Sequence, residues 1–265
     1  MPTKFSDIAK GPNDLIGDDF PSKTSLKVKK SAGPVAVTLE TERSSKDGAL
    51  SSKIATKFSY AGLSIDKLQA TASGGYVLET SIKPAPGLSL AFKGNKGADL
   101  VIDYKTPTSF TTATLDVKDL SKFATSTCAD LGAIKVGANA SYDITGKALS
   151  SYNIGLGYTS GPAFIGVTTA SKLSSANLAL LYKVSPTVSI ASTTTHSTSS
   201  VFALNAIGAS YKAPFGTLKA KVGGSGVISA SIVKDIAPKV TLTASGSASA
   251  KDPSGTFKYG VGLVM

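Results

Sequence analysis

Residues 133–143 read AIKVGANASYD, and residues 151–158 read SYNIGLGY. In the first run Ile134, Val136, Ala138, Ala140 and Tyr142 alternate with Lys135, Gly137, Asn139 and Ser141. In the second, Tyr152, Ile154, Leu156 and Tyr158 hold the apolar positions. A period of two places successive side chains on opposite faces of a strand. Between the runs, Asp143 to Gly146 supplies turn chemistry. Two alternating runs joined by a short turn make a hairpin with one apolar and one polar face.

The same pattern extends in both directions from this hairpin. Leu26 and Val28 oppose Lys27 and Lys29; Ile54, Thr56, Phe58 and Tyr60 oppose Lys53, Ala55, Lys57 and Ser59. Leu88, Leu90 and Phe92 share a face, as do Leu218, Ala220 and Val222 against Lys219 and Lys221. Near the end, Phe257, Tyr259, Val261 and Leu263 oppose Lys258, Gly260 and Gly262. Breakers such as Gly33-Pro34, Ser73-Gly74-Gly75, Pro86-Gly87, Gly161-Pro162 and Ala213-Pro214 separate the runs at short, even intervals. Such spacing leaves no room for βαβ crossovers. Residues 23–265 divide into about nineteen strands of roughly eight to eleven residues, the length of a tilted strand crossing a bilayer. Only Ser200 to Tyr211 blurs the alternation.

A face of Lys, Ser, Thr, Asn and Gly on nearly every strand cannot be a dry core. A sandwich can carry such a face outside, but about nineteen strands in one sandwich exceed ordinary sheet sizes. A closed barrel removes every edge and satisfies the backbone inside lipid. The expected fold is therefore an all-β transmembrane barrel over residues 23–265, apolar outside and polar inside. Residues 1–22 form a separate N-terminal segment. Within it FSDIAKGPNDLI (5–16) sets Phe5, Ile8, Leu15 and Ile16 at helical spacing, with Pro12 on the same face. Proline lacks the amide donor a continuous helix uses, so two short turns or a kink are expected at residue 12.

The formal net charge is +11, and Arg43 is the sole arginine. Nucleic-acid binders cluster bases and use arginine forks, whereas these lysines are scattered along strands, so nucleic acid is not expected as the primary partner. No run approaches the roughly 18 apolar residues of a membrane-spanning helix. The first residues lack the charged start and apolar run of a secretory signal, and their acids Asp7, Asp14, Asp18 and Asp19 are unlike a cleaved transit peptide. The single cysteine, Cys128, permits no internal disulfide and reads as a packing thiol. His196 stands alone in a polar stretch, and Gly223 to Gly226 lacks the lysine and helix of a phosphate loop. No catalytic or metal-binding constellation is present, so neither an enzyme nor a cofactor is expected.

Several short motifs, in their common order, resemble the mitochondrial voltage-dependent anion channel family, the eukaryotic porins. Phe5-Ser-Asp-Ile-Ala-Lys10 is similar to the family's N-terminal helix motif. GANASYD (137–143) with SYNIGLGYT (151–159), Ala220-Lys221-Val222, KVTLTASG (239–246) and GTFKYGVGLVM (255–265) resemble later strands. The resemblance implies a barrel of nineteen strands, the number known for the mitochondrial channel. An odd count implies that the first and last strands pair in parallel, here Ser25–Ser31 with Thr256–Val264. The family's Gly-Leu-Lys triplet reads Gly87-Leu88-Ser89, and its Asn-Asn/Ser pair reads Gly223-Gly224. A lipid-facing Glu of some animal members has no counterpart: its nearest acid is Asp66, and Leu63 and Ile65 put Lys67 at the outward position.

The resemblance implies a voltage-gated diffusion channel of the mitochondrial outer membrane for anions and small metabolites such as ATP, ADP, phosphate and organic acids. Expected partners are the lipid bilayer, those metabolites and nucleotides in transient contact, and a second copy of the chain. With the apolar face on lipid, Lys27, Lys29, Lys53, Lys57, Lys135, Lys219, Lys221 and Lys258 point into the bore, joined by Lys10 of the N-terminal segment. Ammonium groups lining a wide aqueous bore favour anions weakly. The resemblance further implies that Phe5, Ile8, Pro12, Leu15 and Ile16 pack against the inner wall and serve gating. Two other readings share parts of the pattern: a mitochondrial protein-import pore, which would favour an acidic lining, and a soluble or surface β-sandwich binding protein.

Overall fold

Alternation and turn chemistry fold the chain into consecutive hairpins. The computed structural model describes residues 2–44, 48–197, 200–252 and 257–265. The first strands are β1 (Lys23–Ala32), β2 (Val35–Ser44), β3 (Leu50–Tyr60), β4 (Leu63–Thr71), β5 (Tyr76–Ala85) and β6 (Leu88–Gly94). Next come β7 (Ala98–Lys105), β8 (Ser109–Asp116), β9 (Lys122–Leu131), β10 (Ile134–Asp143), β11 (Ala148–Ser160) and β12 (Ala163–Ala170). The remainder are β13 (Ser175–Lys183), β14 (Val188–Ser197), β15 (Ser200–Ala213), β16 (Gly216–Gly223), β17 (Val227–Ala237), β18 (Val240–Ser249) and β19 (Lys258–Val264). At one end of the barrel most turns have two residues. At the β3–β4 turn both Ala61 (φ 49°) and Gly62 (φ 82°) are left-handed, the turn geometry whose twist matches a hairpin.

The nineteen strands form one sheet in which each strand has a neighbour on both sides. Successive strands are antiparallel, and β1 also pairs in parallel with β19. That seam sets Thr24, Ser25, Leu26 and Lys27 against Val261, Gly262, Leu263 and Val264. Two further backbone bonds extend it, from Lys29 N to Met265 O at 2.6 Å and from Met265 N to Lys27 O at 2.9 Å. Thr256, which the sequence pattern places in this seam, lies outside the described residues.

The two faces are chemically distinct. Ile134, Val136, Tyr142, Tyr152, Ile154, Leu156, Tyr158, Ile165 and Tyr182 are all exposed on the outside. Among the described residues the buried apolar side chains are few: Ile8, Ala9, Pro12, Leu15, Ile16, Val101, Cys128, Ala179, Ala191 and Ala206. Five of these belong to the N-terminal segment. No inter-sheet core exists among them, which separates this closed sheet from a sandwich.

Two bulges explain where the alternation misleads. On β4 the register steps from Ile65↔Thr80 to Lys67↔Glu79, leaving Asp66 as the extra residue. On the other side of β4, Phe58 pairs with Ile65 and Thr56 with Leu68, so Asp66 and Lys67 together oppose Lys57. The outward phase therefore passes from Leu63 to the exposed Leu68, and Lys67 turns inward. The outward placement of Lys67 read from the sequence is thus corrected: strict alternation cannot see an inserted residue. On β15, Thr193↔Ala206 is succeeded by Thr194↔Leu204, so Asn205 is extra. Leu204 and Ile207 both face outward although three residues apart, which accounts for the blurred alternation of that stretch.

Candidate functional site: the inner wall and the N-terminal segment

The segment before β1 contains a 3-10 turn, Phe5–Asp7, and one α-helix, α1 (Lys10–Gly17). Pro12 sits in the first turn of α1, where an amide would lack an intrahelical acceptor in any case. The break falls earlier, at Ile8 and Ala9, and α1 runs unbroken through Pro12. The expected kink at residue 12 is therefore corrected, because proline disrupts a helix only beyond its first turn.

This segment touches the polar face of the sheet along more than half of the ring. Near its start the Lys4 ammonium pairs with Asp103 on β7 at 3.0 Å and lies 4.9 Å from the centre of the Phe110 ring on β8. The Thr3 hydroxyl is 3.9 Å from the sulfur of Cys128 on β9, which is fully buried. At its end the Pro21 carbonyl accepts a hydrogen bond from Ser245 on β18. Between β7 and β18 the wall measures about 53 Å at ~4.8 Å per strand. The chain from Lys4 to Pro21, half of it helical, reaches only about 45 Å. A path outside the ring would be longer than the wall itself, so the segment lies within the bore.

Its bed is built from missing side chains. A Cβ on Gly155 would fall 2.8 Å from Ile8 Cδ1 and 3.1 Å from the Phe5 ring. One on Gly137 would fall 2.8 Å from Phe5 and 3.1 Å from Ile8. Gly157 lies under Ile8, Gly166 under Ala9 and Gly208 under Leu15. Leu15 and Ile16 form a small core with Ala191 and Ala206, against which Leu181 packs. Pro12 is fully buried. The apolar stripe Ile8, Pro12, Leu15 and Ile16 thus meets a groove of glycine and alanine on β10–β15, with Phe5 at its edge.

Lys219 and Lys221 on β16 close the other end of α1. The Lys221 ammonium donates to the Ile16 carbonyl at 2.8 Å and lies 4.1 Å from the centre of the Phe20 ring. Lys219 approaches the carbonyls of Asp14 and Asp18 at 3.5 and 3.4 Å and pairs with Asp19 at 2.6 Å. Cations at these positions oppose the negative end of the helix dipole, and Lys221 satisfies the Ile16 carbonyl, whereas the Asp14 carbonyl also accepts from the Asp18 amide at 3.0 Å. Asp19 itself turns the chain in the left-handed conformation (φ 70°) that commonly ends a helix.

The wall on β1–β4 carries an alternating lattice of charge. Register aligns Lys27, Glu40 and Lys53 across three strands. Glu40 accepts from Lys27 at 3.2 Å and from Lys53 at 2.8 Å. Glu42 pairs with Lys23 at 3.2 Å, and Lys57 lies 3.7 Å from Asp66. Lys29 borders the same hollow. Lys135 lines a cleft beside α1, Lys258 stands opposite Ser247, and Lys10 forms an exposed pair with Asp14 one turn on at 2.8 Å. Asp14 holds the Lys10 ammonium above its ordinary pKa, by hydrogen bond and by charge. Sequence reasoning missed both the partner acids Glu40 and Glu42 and the glycine bed. The signal for the bed was present: Gly137, Gly155, Gly157 and Gly166 all occupy the polar phase of their strands.

The comparisons with known proteins agree on a family. The family model described as Eukaryotic porin matches residues 1–260. The "Mitochondrial outer membrane protein porin" of Candida albicans is 29% identical over 91% of this chain and 90% of its own length. "Mitochondrial outer membrane protein porin 2" of Arabidopsis thaliana is 25% identical, and the rice protein of that name 24%, each over 100% of this chain. These alignments cover 98% and 96% of the two plant proteins. Among solved structures, Pseudomonas aeruginosa OccK10 (OpdN) aligns with a TM-score of 0.43 and 10% identity over 91% of this chain and 90% of its own. That score describes a loose superposition, and the barrel is read from this chain's own strand pairing. A match along nearly the whole length, with relatives spanned almost end to end, places the chain in the eukaryotic porin family.

Proposed function

We propose that this porin of the mitochondrial outer membrane conducts ATP, ADP, phosphate and organic acids by diffusion, prefers anions weakly, and closes with voltage through its N-terminal segment. The preference is supported by the lysine-bearing inner wall, and above all by the β1–β4 hollow, where five lysines face two carboxylates. Such a wall lowers the energy of an anion relative to a cation. The bias is weak because ion pairs neutralise part of the lining and because salt screens the rest within about 8 Å at physiological strength.

Closure is supported by the way α1 is held. The segment rests on the wall through a narrow apolar stripe and a few charged contacts, and several of its charges remain exposed. An applied field acts on those charges, whereas the hydrogen-bonded wall is rigid by comparison.

Planar-bilayer recording tests both parts. The expected channel has a large conductance, a mild chloride preference that shrinks as salt is raised from about 0.1 to 1 M, and closure at either voltage sign. The shrinkage reflects the fall of the Debye length from about 10 to 3 Å. A cation-preferring, voltage-insensitive pore would reject the assigned roles of the lysines and the segment together. Deleting residues 1–20 isolates the segment: closure that persists unchanged removes it from gating.

A further inference from the structure

The stretch of inner wall that the N-terminal segment leaves open, on β1–β4, is built unlike the rest. Its centre is low: Ala36, Thr38 and Ala55 form the floor of a hollow of about 500 Å³. Register sets Lys29 level with Thr38 and Ala55. Around that floor stand Lys27, Lys29, Lys53, Lys57 and Lys67, with Glu40 and Asp66 as the lining acids among the described residues.

Three features give this hollow a fixed, positive shape. Glu40 lies between Lys27 and Lys53 and holds both ammonium groups in a row that crosses β1–β3 at one end of the hollow. Asp66 accepts hydrogen bonds from Ser64 at 3.0 Å and from Ser81, so its carboxylate is already engaged before it meets Lys57. The bulge at Asp66 brings Lys67 inside, where a regular strand would have turned it to lipid. Among the described residues Lys29 and Lys67 form no ion pair, and they stand on opposite rims of the hollow.

Five ammonium groups against the two lining carboxylates leave a positive excess over one small floor, even with Glu42 reaching Lys53 at 4.0 Å and Glu79 level with Lys67 on β5. From β1 to β4 the rims are about 14 Å apart at ~4.8 Å per strand, a gap that two lysine arms narrow but do not close. A single phosphate meets one rim only. A linear chain of phosphates presents charged oxygens along its length and meets both. Lysine suits such a ligand, because its compact charge on a flexible stem binds phosphate oxygens without demanding a fixed planar geometry.

Resting on the channel reading above, we propose that the β1–β4 hollow is a binding site for oligophosphates, either the phosphate tail of a nucleotide or an inorganic polyphosphate. Lys29 and Lys67 are its unshared cations, and Lys27, Lys53 and Lys57 complete it. Occupancy places a polyanion on the wall opposite the helix bed, within the path of permeating anions.

The test is calorimetric titration of the refolded full chain in neutral detergent with sodium triphosphate, ATP and orthophosphate at low salt. Triphosphate is expected to bind saturably at one site, and orthophosphate at least about tenfold more weakly, since it spans one rim. The double substitution Lys29→Gln, Lys67→Gln is expected to weaken triphosphate about tenfold. Lys183→Gln with Lys212→Gln removes the same charge from inner-wall positions outside the hollow, and is expected to change the affinity less than about twofold. ATP binding as tightly as triphosphate assigns the site to nucleotides; ATP binding weakly assigns it to the inorganic chain; both uphold it. Equal losses in the two double variants, or no saturable binding, overturn the site. Bilayer recording of each variant reports that the barrel has formed, and a wild-type chain that forms no channel overturns the channel reading instead.

Discussion

At the scale of single residues, the N-terminal segment is positioned by what its bed lacks. Gly155 supports Phe5 and Ile8 only because it has no Cβ. Gly155→Val forces the two side chains off the wall, at a cost of about 1–3 kcal/mol for overpacking. The segment should then become a trypsin substrate at Lys4 and Lys10 in micelles, while the wild-type segment resists cleavage. Equal cleavage of the two proteins would mean that the glycine bed does not hold the segment. The opposite end depends on Lys221 and Lys219. Lys221→Met keeps much of the side chain's bulk but removes the donor to the Ile16 carbonyl and the charge at the helix terminus, worth about 1–2 kcal/mol in a partly buried setting. Channels carrying it should close at lower voltage than wild type in bilayer recordings. Lys219→Met should act in the same direction, and combining it with Asp19→Asn should add little, because the two residues share one ion pair. Full additivity of that pair would show that Lys219 works through the carbonyls alone.

At the scale of elements, a regular period is legible in the amino-acid order and an interruption of it is not. The hairpin of β10 and β11 was legible because Val136 on β10 and Ile154 and Leu156 on β11 keep strict alternation, which β11 breaks only at the extra residue Ser150 near its start. The apolar stripe of α1 was legible for the same reason. The bulge on β4 was not: an inserted residue reverses the phase of everything after it, and nothing in Ser-Ile-Asp-Lys-Leu announces the insertion. The charge lattice was half legible, since the lysines stand out by type whereas their pairing with Glu40 and Glu42 depends on register. The glycine bed was visible as a phase but not as a surface, because its meaning needs the helix that rests on it. The β4 bulge makes its own prediction. Cysteine at position 67, as Lys67→Cys, should react with a charged, membrane-impermeant thiol reagent through the aqueous bore. Leu68→Cys should not, since lipid covers that face. The native Cys128 is fully buried and adds little background. The reverse pattern, with residue 68 labelled and residue 67 silent, would restore the strictly alternating strand.

At the scale of the whole molecule, an odd strand number forces one parallel contact, and that contact closes the bore. Each antiparallel hairpin is local in sequence and can form as the chain collapses. The β1–β19 seam joins the two ends of the barrel chain and must bear the largest loop-closure entropy, so it should form last. It is also short, with four register pairs against ten between β9 and β10. A covalent link across it should therefore stabilise the molecule through its unfolded state. Leu26 and Leu263 are register partners on the outer face. The variant Leu26→Cys, Leu263→Cys should form an intramolecular disulfide under mild oxidation, seen as a faster band on a non-reducing gel. It should raise the unfolding midpoint, since closing so long a loop contributes about 3–5 kcal/mol. Leu26→Cys with Val261→Cys is the geometric control. Val261 pairs with Thr24, two residues along the strand, which places its sulfur beyond bonding reach of position 26. A disulfide in the control but not in the register pair would mean the seam is shifted by two residues. A disulfide in neither would mean that β1 and β19 do not meet in the membrane, and that the barrel must close by another pairing.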